Sequence, residues 1–319
     1  MSLHVAVQMD PLERINIAGD STFAIMLKAQ ELGYALYHYA PEDLSYAEGR
    51  VWTMSYPVTV QRIEGDHYRF GEPRILDLGK DVDVVLMRQD PPFDLGYITA
   101  THLLERIRGE TLVVNDPGSV RDAPEKLWVL DFAQFMPPTA ITRSLGLARK
   151  FLAEHGEIVL KPLHGFAGGS VFRIGPDGRN LASLMELFNR TYREPHVLQK
   201  FIPEIADGDK RIVLVDGEVA GAINRIPGEG EIRSNLAVGG KAAKADLTSR
   251  EREICAALRP ELTKRGLIFV GIDVIGGQWL TEINVTSPTG IVAIDQFNGT
   301  DTPALIWQAI ERRVGRHAN

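Results

Sequence analysis

Short apolar runs alternate with segments of helical periodicity over roughly the first 120 residues, and this rhythm narrows the possible folds more than any other feature. Residues 5–7 form an apolar run, residues 21–32 carry apolar side chains at helical intervals, and residues 35–39 form a second run. Further apolar runs follow at residues 82–87 and 112–114. Strand, helix and strand in succession form a βαβ unit, so we predict an open parallel sheet of the α/β class.

The rhythm changes after Pro117, where the pattern becomes that of an α+β module. Helices are predicted at residues 124–132, 144–154 and 181–189, with strands at residues 158–161, 171–174 and 197–201. Farther on, Asp216-Gly217 predicts a two-residue hairpin turn between strands at residues 211–215 and 219–224. A glycine-rich loop at residues 227–240, a helix at 251–265, a second hairpin at 269–284 and a helix at 303–314 follow. We therefore expect three domains, at residues 1–122, 123–202 and 203–319.

Charge and cysteine content exclude several classes of protein. The formal net charge of −7 provides no broad basic surface for a phosphate backbone, so we expect no nucleic-acid partner. Cys255, the single cysteine, has no internal disulfide partner, and its apolar neighbours indicate a small buried side chain. The chain has no signal-peptide pattern and no apolar run approaching the roughly 20 residues of a membrane span. We expect a soluble cytoplasmic protein with no membrane partner.

The second hairpin carries three oxygen donors on one predicted face. Glu282 and Asn284 are two residues apart in a strand and so point the same way, while Asp273 lies in the preceding strand. A two-residue turn at Gly276-Gly277 would pair Asp273 with Leu280, diagonal to Glu282. Two carboxylates and an amide oxygen suit Mg²⁺. The alternative is that these side chains form only the solvent face of a hairpin.

Lys161 follows an apolar run and precedes a glycine-rich turn that contains Gly165, Gly168 and Gly169. Glycines allow backbone N–H groups to approach phosphate oxygens, and a nearby lysine adds a positive charge, so the segment suits a triphosphate. An ordinary turn between strands is the alternative. Neither the P-loop nor the Rossmann glycine motif is present, which leaves those two kinds of nucleotide site without support.

Four arginines lie at predicted strand ends or on the long glycine-rich loop: Arg88, Arg211, Arg225 and Arg233. An arginine fork can bind a carboxylate through two hydrogen bonds, as a peptide substrate with several carboxylates would require. Each arginine taken singly is also compatible with an ordinary surface ion pair.

Several ordered motifs together resemble the prokaryotic-type glutathione synthetases over nearly the whole chain. They are MDP (9–11), INI (15–17), DSTFA (20–24), LMRQDPPFD (86–94), DGDKR (207–211), RIP (225–227), GLIFVGID (266–273) and LTEINVTSPT (280–289). The resemblance implies an ATP-grasp fold: an N-terminal pre-ATP-grasp α/β domain, a central lid domain and a C-terminal domain, with ATP between the last two. It also implies ligation of γ-glutamylcysteine to glycine through an acyl phosphate, giving glutathione, ADP and phosphate.

The resemblance also implies roles for individual residues. Lys126 and Lys161 match phosphate-binding lysines, the hinge Gln199, Lys200, Phe201 and Ile202 matches the adenine site, and Asp209 matches a position near the ribose. Asp273, Glu282 and Asn284 match ligands of Mg²⁺ or Mn²⁺. Arg88, Arg211, Arg225 and Arg233 match substrate- or phosphate-binding residues, with Ser287, Thr289 and Gly290 near the substrate. Arg211 would neutralise charge during catalysis, and Arg233 would close over the intermediate on its loop. Relatives suggest a homotetramer.

The sequence departs from the family pattern in the first glycine loop. His164 stands where Asp is common and Ala167 where Gly is common, which bears on loop geometry and ATP affinity. Rival hypotheses are a ligase that adds glutamate to a peptide or protein, a D-alanine ligase, and a nucleotide-binding regulatory protein that has lost catalysis. The region at residues 88–92 argues against the two rival ligases, and only His164 and Ala167 favour the regulatory protein.

Overall fold

The structure, a computed structural model, describes residues 2–166, 168–236 and 239–317. Its N-terminal part contains a sheet with the strand order β3-β4-β2-β1-β7-β8, in which β5 and β6 also pair with β4. The strands are β1 (His4–Gln8), β2 (Ala35–Tyr39), β3 (Leu44–Ala47), β4 (Arg50–Val60), β5 (Tyr68–Phe70), β6 (Arg74–Asp77), β7 (Val84–Met87) and β8 (Leu112–Val114). Helices α1 (Ser21–Glu31), α2 (Leu95–Leu104) and α3 (Pro117–Arg121) each begin after an aspartate that accepts a backbone N–H.

The prediction of a parallel sheet is right for β2, β1, β7 and β8 and wrong for β3 to β6. β4 pairs antiparallel with β2, β3, β5 and β6. Only Glu48 and Gly49 separate β3 from β4, with φ values of 52° and 84°. A connection of two residues permits only antiparallel pairing of β3 with β4. The βαβ pattern, which predicts parallel strands, therefore does not apply to this pair.

The central sheet is entirely antiparallel, with the order β11-β10-β12-β9. Its strands are β9 (Thr139–Thr142), β10 (Ile158–Pro162), β11 (Phe172–Ile174) and β12 (His196–Lys200), covered by α4 (Leu145–His155) and α5 (Leu181–Thr191). The strand β9 was not predicted from the sequence. The helix predicted at residues 124–132 is wrong, because the structure has a 3₁₀ helix at Trp128–Phe135 with non-helical dihedral angles at Phe132. Trp128 and Phe132 are buried there, so packing rather than helical periodicity sets the local backbone.

The third sheet has the order β15-β14-β13-β16-β17. It comprises β13 (Asp209–Val215), β14 (Glu218–Ile226), β15 (Lys241–Lys244), β16 (Phe269–Ile275) and β17 (Trp279–Asn284), with helices α6 (Ser249–Lys264), α7 (Ile291–Asn298) and α8 (Thr302–His317). β15 and α7 were not predicted. Other short 3₁₀ helices lie at Leu12–Arg14, Pro41–Asp43, Glu105–Ile107 and Pro203–Asp207.

The first and third sheets share a core, whereas the central sheet has its own. One apolar cluster contains Ala6 of β1 together with Ile272 of β16, and a second contains Val5 together with Trp307 of α8. The central cluster instead draws only on residues of α4, α5 and the central sheet. Asn115, which follows β8, links the first and third sheets, because its side-chain amide donates to the carbonyls of Phe269 and Val285, both at 2.8 Å. The central sheet with α4 and α5 therefore packs as a separate module, whereas the first and third sheets form one continuous unit.

Candidate functional site

A cleft of about 370 Å³ lies between the central and third sheets and is bordered by the segment after β17. Among the residues that line it are nearly all of the predicted site residues: Lys126, Lys161, Gly165, Gly168, Gly169, Gln199, Lys200, Phe201, Ile202, Asp209, Arg211, Arg225, Arg233, Asp273, Glu282, Asn284, Ser287, Thr289 and Gly290. Arg88 does not line it. The structure therefore gathers side chains from positions more than 160 residues apart.

Strand register explains how the charged side chains of the third sheet come together. Arg211 of β13 lies directly opposite Asp273 of β16, and Asp273 lies directly opposite Glu282 of β17. Two residues along β13, Asp209 is opposite Arg225 of β14. Directly opposed residues share a face of the sheet, and so do residues two apart. One face therefore carries alternating acidic and basic groups.

The predicted pairing of Asp273 with Leu280 is wrong. Asp273 pairs with Glu282, and Val274 pairs with Leu280, with an irregularity between them that leaves Thr281 as an extra residue in β17. The turn also has three residues rather than two, since Ile275 pairs with Trp279. The bulge turns Leu280 away from the face of Asp273. The conclusion that Asp273 and Glu282 share a face nevertheless holds, through a direct pair instead of a diagonal one.

Two arginines hold Asp273 and Asp209 through close charge-assisted hydrogen bonds. Arg211 donates to both oxygens of Asp273, at 2.6 and 3.0 Å, and Arg225 reaches Asp273 at 3.0 Å. Arg225 also donates to both oxygens of Asp209, at 2.7 and 2.6 Å. Burial alone would raise the pKa of Asp273, but Arg211 and Arg225 outweigh it and hold that pKa well below its ordinary value. At Asp209, burial prevails and raises the pKa despite Arg225.

Gly271 of β16 makes room for this arrangement. A Cβ at that position would lie 3.2 Å from Cδ of Arg211 and 3.2 Å from Cβ of Pro288. The side chain of Arg211 therefore passes close over the backbone of β16 on its way to Asp273. A glycine is needed here for close approach rather than for an unusual backbone conformation.

Glu282 is bound by two lysines that approach from outside the third sheet. Lys161 of β10 lies 3.1 Å from Glu282, and Lys126 lies 3.4 Å from the same oxygen. Burial would raise the pKa of Glu282, yet Lys126 and Lys161 lower it. Lys126 also donates to the carbonyl of Gly165 at 2.6 Å, which ties it to the first glycine loop.

Glu125 is a cleft residue that the sequence reasoning missed. It lies 3.8 Å from Lys126 and accepts a hydrogen bond from Thr286 at 3.3 Å, and burial raises its pKa. Its position beside Lys126 was the signal that could have found it. Apolar side chains of the cleft wall were also missed, namely Val159, Val171, Ile205 and Ile275. Val159 pairs with Gln199 of the predicted hinge, and the backbone N–H of Ile205 donates to the carbonyl of Ile202, so the cleft wall beside the hinge is apolar.

The two glycine-rich loops contact each other over the cleft. Gly168 has φ of 74°, and a Cβ added there would lie 2.7 Å from the side-chain oxygen of Asn235. Arg233, on the same loop as Asn235, is paired with Glu231 at 2.9 and 3.0 Å. His164 does not line the cleft and packs its ring 5.9 Å from that of Phe93. Ala167 lies outside the described residues.

We expect Gly168→Ala to raise KM for ATP about 5- to 30-fold, because a left-handed alanine costs roughly 1–2 kcal/mol before its contact with Asn235 is counted. Steady-state kinetics with varied ATP would measure the effect. Gly228→Ala is the matched control, since Gly228 has no positive φ and nothing lies within 4 Å of its added Cβ. Equal KM values for ATP in the two variants would contradict a tight contact between the loops.

Arg88 is buried behind the cleft rather than exposed to it. Its Nε donates to Thr22 at 3.0 Å and its Nη2 to the carbonyl of Pro288 at 2.9 Å. The hydroxyl of Ser287 donates back to the carbonyl of Arg88 at 3.3 Å. Arg88 therefore positions the segment at residues 287–290.

Cys255 fits the expectation of a small buried side chain. It is 4% exposed, and burial raises the pKa of its thiol to about 12, which keeps the thiol protonated near neutral pH. Within residues 2–166, 168–236 and 239–317, no helix has the length and apolar character needed to cross a bilayer.

The donor set on the hairpin is compatible with a hard divalent cation. Asp273 and Glu282 supply carboxylate oxygens from opposed positions, and the side-chain amide of Asn284 lies 3.5 Å from Asp273. Oxygen donors of this kind are those that Mg²⁺ prefers. No group of three or more His, Cys, Asp and Glu suited to a metal occurs in the described part of the chain. A metal here would therefore need the amide oxygen and non-protein ligands beside the two carboxylates.

Comparisons with known proteins agree with the geometry. The family model "Prokaryotic glutathione synthetase, N-terminal domain" matches residues 3–121, and "Prokaryotic glutathione synthetase, ATP-grasp domain" matches residues 125–299. The glutathione synthetase of Rhodopseudomonas palustris is 56% identical over 98% of this chain and 99% of its own length. That of Bradyrhizobium diazoefficiens is 55% identical over the same shares.

Among solved structures, the D-cycloserine synthetase DcsG superposes with a TM-score of 0.67. It covers 98% of this chain and 99% of its own at 19% identity. At this identity the likeness concerns the fold alone. Together with the two family models, it confirms the ATP-grasp fold with an N-terminal α/β domain that the sequence predicted.

Proposed function

The chain belongs to the prokaryotic glutathione synthetase family, and on that premise we propose that it joins the cysteinyl carboxylate of γ-glutamylcysteine to the amino group of glycine. It is an ATP-dependent ligase, and in the proposed reaction the carboxylate first takes the γ-phosphate of ATP. The amine of glycine then displaces phosphate from the acyl phosphate, which leaves glutathione, ADP and phosphate.

The observation that carries this proposal is the balance of charge in the cleft. Four carboxylates, Glu125, Asp209, Asp273 and Glu282, face four cations in ion pairs. Those cations are Lys126, Lys161, Arg211 and Arg225. Phosphoryl transfer requires that positive charge be preorganised around the phosphate and held in place during the reaction.

Lys126 and Lys161 would bind the triphosphate, with backbone N–H groups of the loop at Gly165, Gly168 and Gly169 beside them. Lys126 and Lys161 are both within ion-pairing distance of Glu282. Phosphate oxygens would therefore compete with Glu282 for these two lysines. The carboxylate of Glu282 would then be released for other ligands. The apolar wall formed by Val159 and Ile205 would take the adenine ring at the hinge of residues 199–202, with Asp209 toward the ribose.

Asp273, Glu282 and Asn284 are the residues that would hold Mg²⁺ or Mn²⁺. When bound, the metal would neutralise phosphate oxygens and act as a Lewis acid at the transferring phosphoryl group. Arg211, already fixed by Asp273, would neutralise negative charge at the reacting carboxylate and phosphate. Arg225 would bind a substrate carboxylate, and Ser287, Thr289 and Gly290 would border the peptide where Arg88 holds their segment in place.

Arg233 would close over the acyl phosphate, which hydrolyses if water reaches it. Its only ion pair among the described residues is with the nearby Glu231, and both side chains are partly exposed, so the pair can be exchanged for a ligand at little cost.

We expect Arg233→Ala to lower the rate of peptide ligation about 100-fold and to raise the ratio of ATP hydrolysed to peptide formed. Coupled measurement of ADP and glutathione would give both numbers. Arg179→Ala is the matched control, because Arg179 also pairs with a carboxylate two residues earlier, Asp177, but lies outside the cleft. Full ligation by Arg233→Ala with unchanged coupling would show that this lid role is wrong.

The experiment that tests the function is an assay of ADP and glutathione formation with γ-glutamylcysteine, glycine and ATP, omitting each in turn. Glutathione formation that requires all three supports the proposal. Turnover with glutamate or D-alanine in place of glycine would support one of the rival ligases. Nucleotide binding without turnover on any substrate of the panel would indicate a regulatory protein.

We also propose domain boundaries at residues 1–122, 123–202 and 203–319. Each of the three sheets lies wholly within one of these ranges, and only the central one has a separate core, as a lid would require. A homotetramer and a cytoplasmic location remain proposals based on the family resemblance. Light scattering of the purified protein would measure the subunit number.

A further inference from the structure

Five carboxylates of the described residues line the cleft, and they differ in whether a cation forms an ion pair with them. Asp209 and Asp273 are paired with arginines, and Glu125 and Glu282 with lysines. The fifth is Asp90, which lines the cleft and has no ion pair with any of the described residues. Asp90 is partly accessible to solvent, and desolvation in the cleft raises its pKa although the charge of Arg88 lowers it.

Asp90 differs from the four paired carboxylates in the part of the chain that surrounds it. The charges that act on it most are those of Arg88, Asp10 and Asp20, all from the N-terminal part of the chain. Its hydrogen-bonding partners agree, since its backbone N–H donates to Asp10 at 2.8 Å and its side chain meets Ser287. Asp90 therefore borders the cleft from the N-terminal part of the chain, whereas Asp209, Asp273 and Glu282 border it from the third sheet.

The topology of the first sheet makes this a binding position. β1 is followed by β2 on one side, while β7 pairs with its other side, so the strand order reverses between β1 and β7. In open α/β sheets, ligands bind in the crevice at the carboxyl ends of the two strands that flank such a reversal. Asp10 follows the end of β1 and Asp90 follows the end of β7.

Tyr97 gives a second, independent indication of a ligand. Its side chain is 1% exposed and its hydroxyl has no hydrogen-bond partner among the described residues. The charged groups that act on this hydroxyl are Arg88, Glu125, Asp90 and Asp10. A buried hydroxyl without a partner is uncommon in folded proteins and indicates hydrogen-bonding capacity reserved for a ligand or an ordered water.

The proposed substrate supplies the missing cation. γ-Glutamylcysteine has two carboxylates and one ammonium group, and that ammonium is on the glutamyl α-carbon, at the far end of the molecule from the cysteinyl carboxylate. The arginines of the cleft suit the carboxylates, whereas the ammonium group needs an acceptor with negative charge.

We propose that Asp90 binds the α-ammonium group of the γ-glutamyl moiety and so makes the protein specific for peptide substrates that carry this group. Tyr97 completes this subsite as a hydrogen-bond acceptor, directly or through one water. The inference rests on the proposed function, because the ammonium belongs to that substrate.

The test compares γ-glutamylcysteine with glutarylcysteine, which lacks only the α-amino group, in the wild type and in Asp90→Asn. We expect Asp90→Asn to raise KM for γ-glutamylcysteine about 10- to 100-fold, with kcat changed less. KM for glutarylcysteine should change no more than about twofold between the two proteins, because the group that Asp90 binds is absent. KM values for ATP and glycine should stay at the wild-type level.

Asp131→Asn, at an exposed aspartate outside the cleft, is the matched control, and thermal unfolding of every variant shows whether it is folded. An equal loss with both peptides would show that Asp90 has only a structural role. A rise in KM for glycine alone would assign Asp90 to the amine of glycine, and unchanged kinetics would exclude any binding role, so each of these results overturns the proposal. If the wild type turned over neither peptide, the proposed function itself would be wrong, an outcome distinct from a failure of the subsite.

Discussion

Replacing Glu282 with Gln is expected to lower kcat/KM for ATP by about 10²- to 10³-fold, since the substitution removes one preorganised charged group at the phosphate site. Glu282 lies opposite Asp273 in the sheet and forms ion pairs with Lys126 and Lys161. Glutamine has nearly the size of glutamate but is neutral, so it cannot balance the positive charge of a divalent cation or of the two lysines. Initial rates with varied ATP and Mg²⁺ would measure the loss.

Isothermal titration of nucleotide with and without Mg²⁺ gives a second measurement that does not depend on turnover. The wild type should bind ADP more tightly with Mg²⁺, and Glu282→Gln should lose most of that difference. Glu42→Gln, at an exposed glutamate outside the cleft, should behave as the wild type. Nucleotide affinity that ignores Mg²⁺ in both the wild type and Glu282→Gln would contradict the assigned metal ligands.

The second large effect is expected on stability, where Arg225→Gln should lower the free energy of unfolding by about 3–5 kcal/mol. Arg225 is 4% exposed and is hydrogen-bonded to both oxygens of Asp209, with Asp273 at 3.0 Å. Its loss leaves Asp209 buried without a cation, while Asp273 keeps Arg211. Urea denaturation followed by tryptophan fluorescence would measure the change.

The double variant Asp209→Asn/Arg225→Gln is the control, because it removes the unpaired carboxylate along with its partner. It should regain much of the lost stability. The pKa of Asp209 is already raised, so in Arg225→Gln its protonation at low pH should stabilise the folded state, and the defect should be smaller at pH 5 than at pH 8. A defect that persists unchanged in the double variant would show that Arg225 acts through packing alone.

Local sequence pattern predicted the elements of the candidate site well. The strands Phe269–Ile275 and Trp279–Asn284 have the predicted bounds, and the glycine-rich turn after Lys161 borders the cleft as expected. These features depend on side-chain alternation and turn residues within a few positions of each other, which a single sequence displays directly.

Features that depend on distant segments were missed or mistaken. The bulge at Thr281 changed the partner of Asp273, and the antiparallel extension of the first sheet was not foreseen. The hydrogen bonds of Arg88 to Thr22 and Pro288 also carried no signal in the sequence, while its predicted role at the substrate stays a prediction. In each case the outcome is set by pairing or packing between residues whose sequence separation carries no local signal.

The sequence by itself determined which kinds of element form, that Asp273 and Glu282 share a face, and, through its ordered motifs, the family to which the chain belongs. Only the tertiary structure decided which charged groups form ion pairs: Arg211 and Arg225 with Asp273, and Lys126 and Lys161 with Glu282. It also left Asp90 without an ion pair to any described residue. The physical reason is the different sequence range over which these interactions act. Backbone preferences and side-chain alternation act over a few residues, whereas the pairing of buried charges depends on how three sheets pack around one cleft.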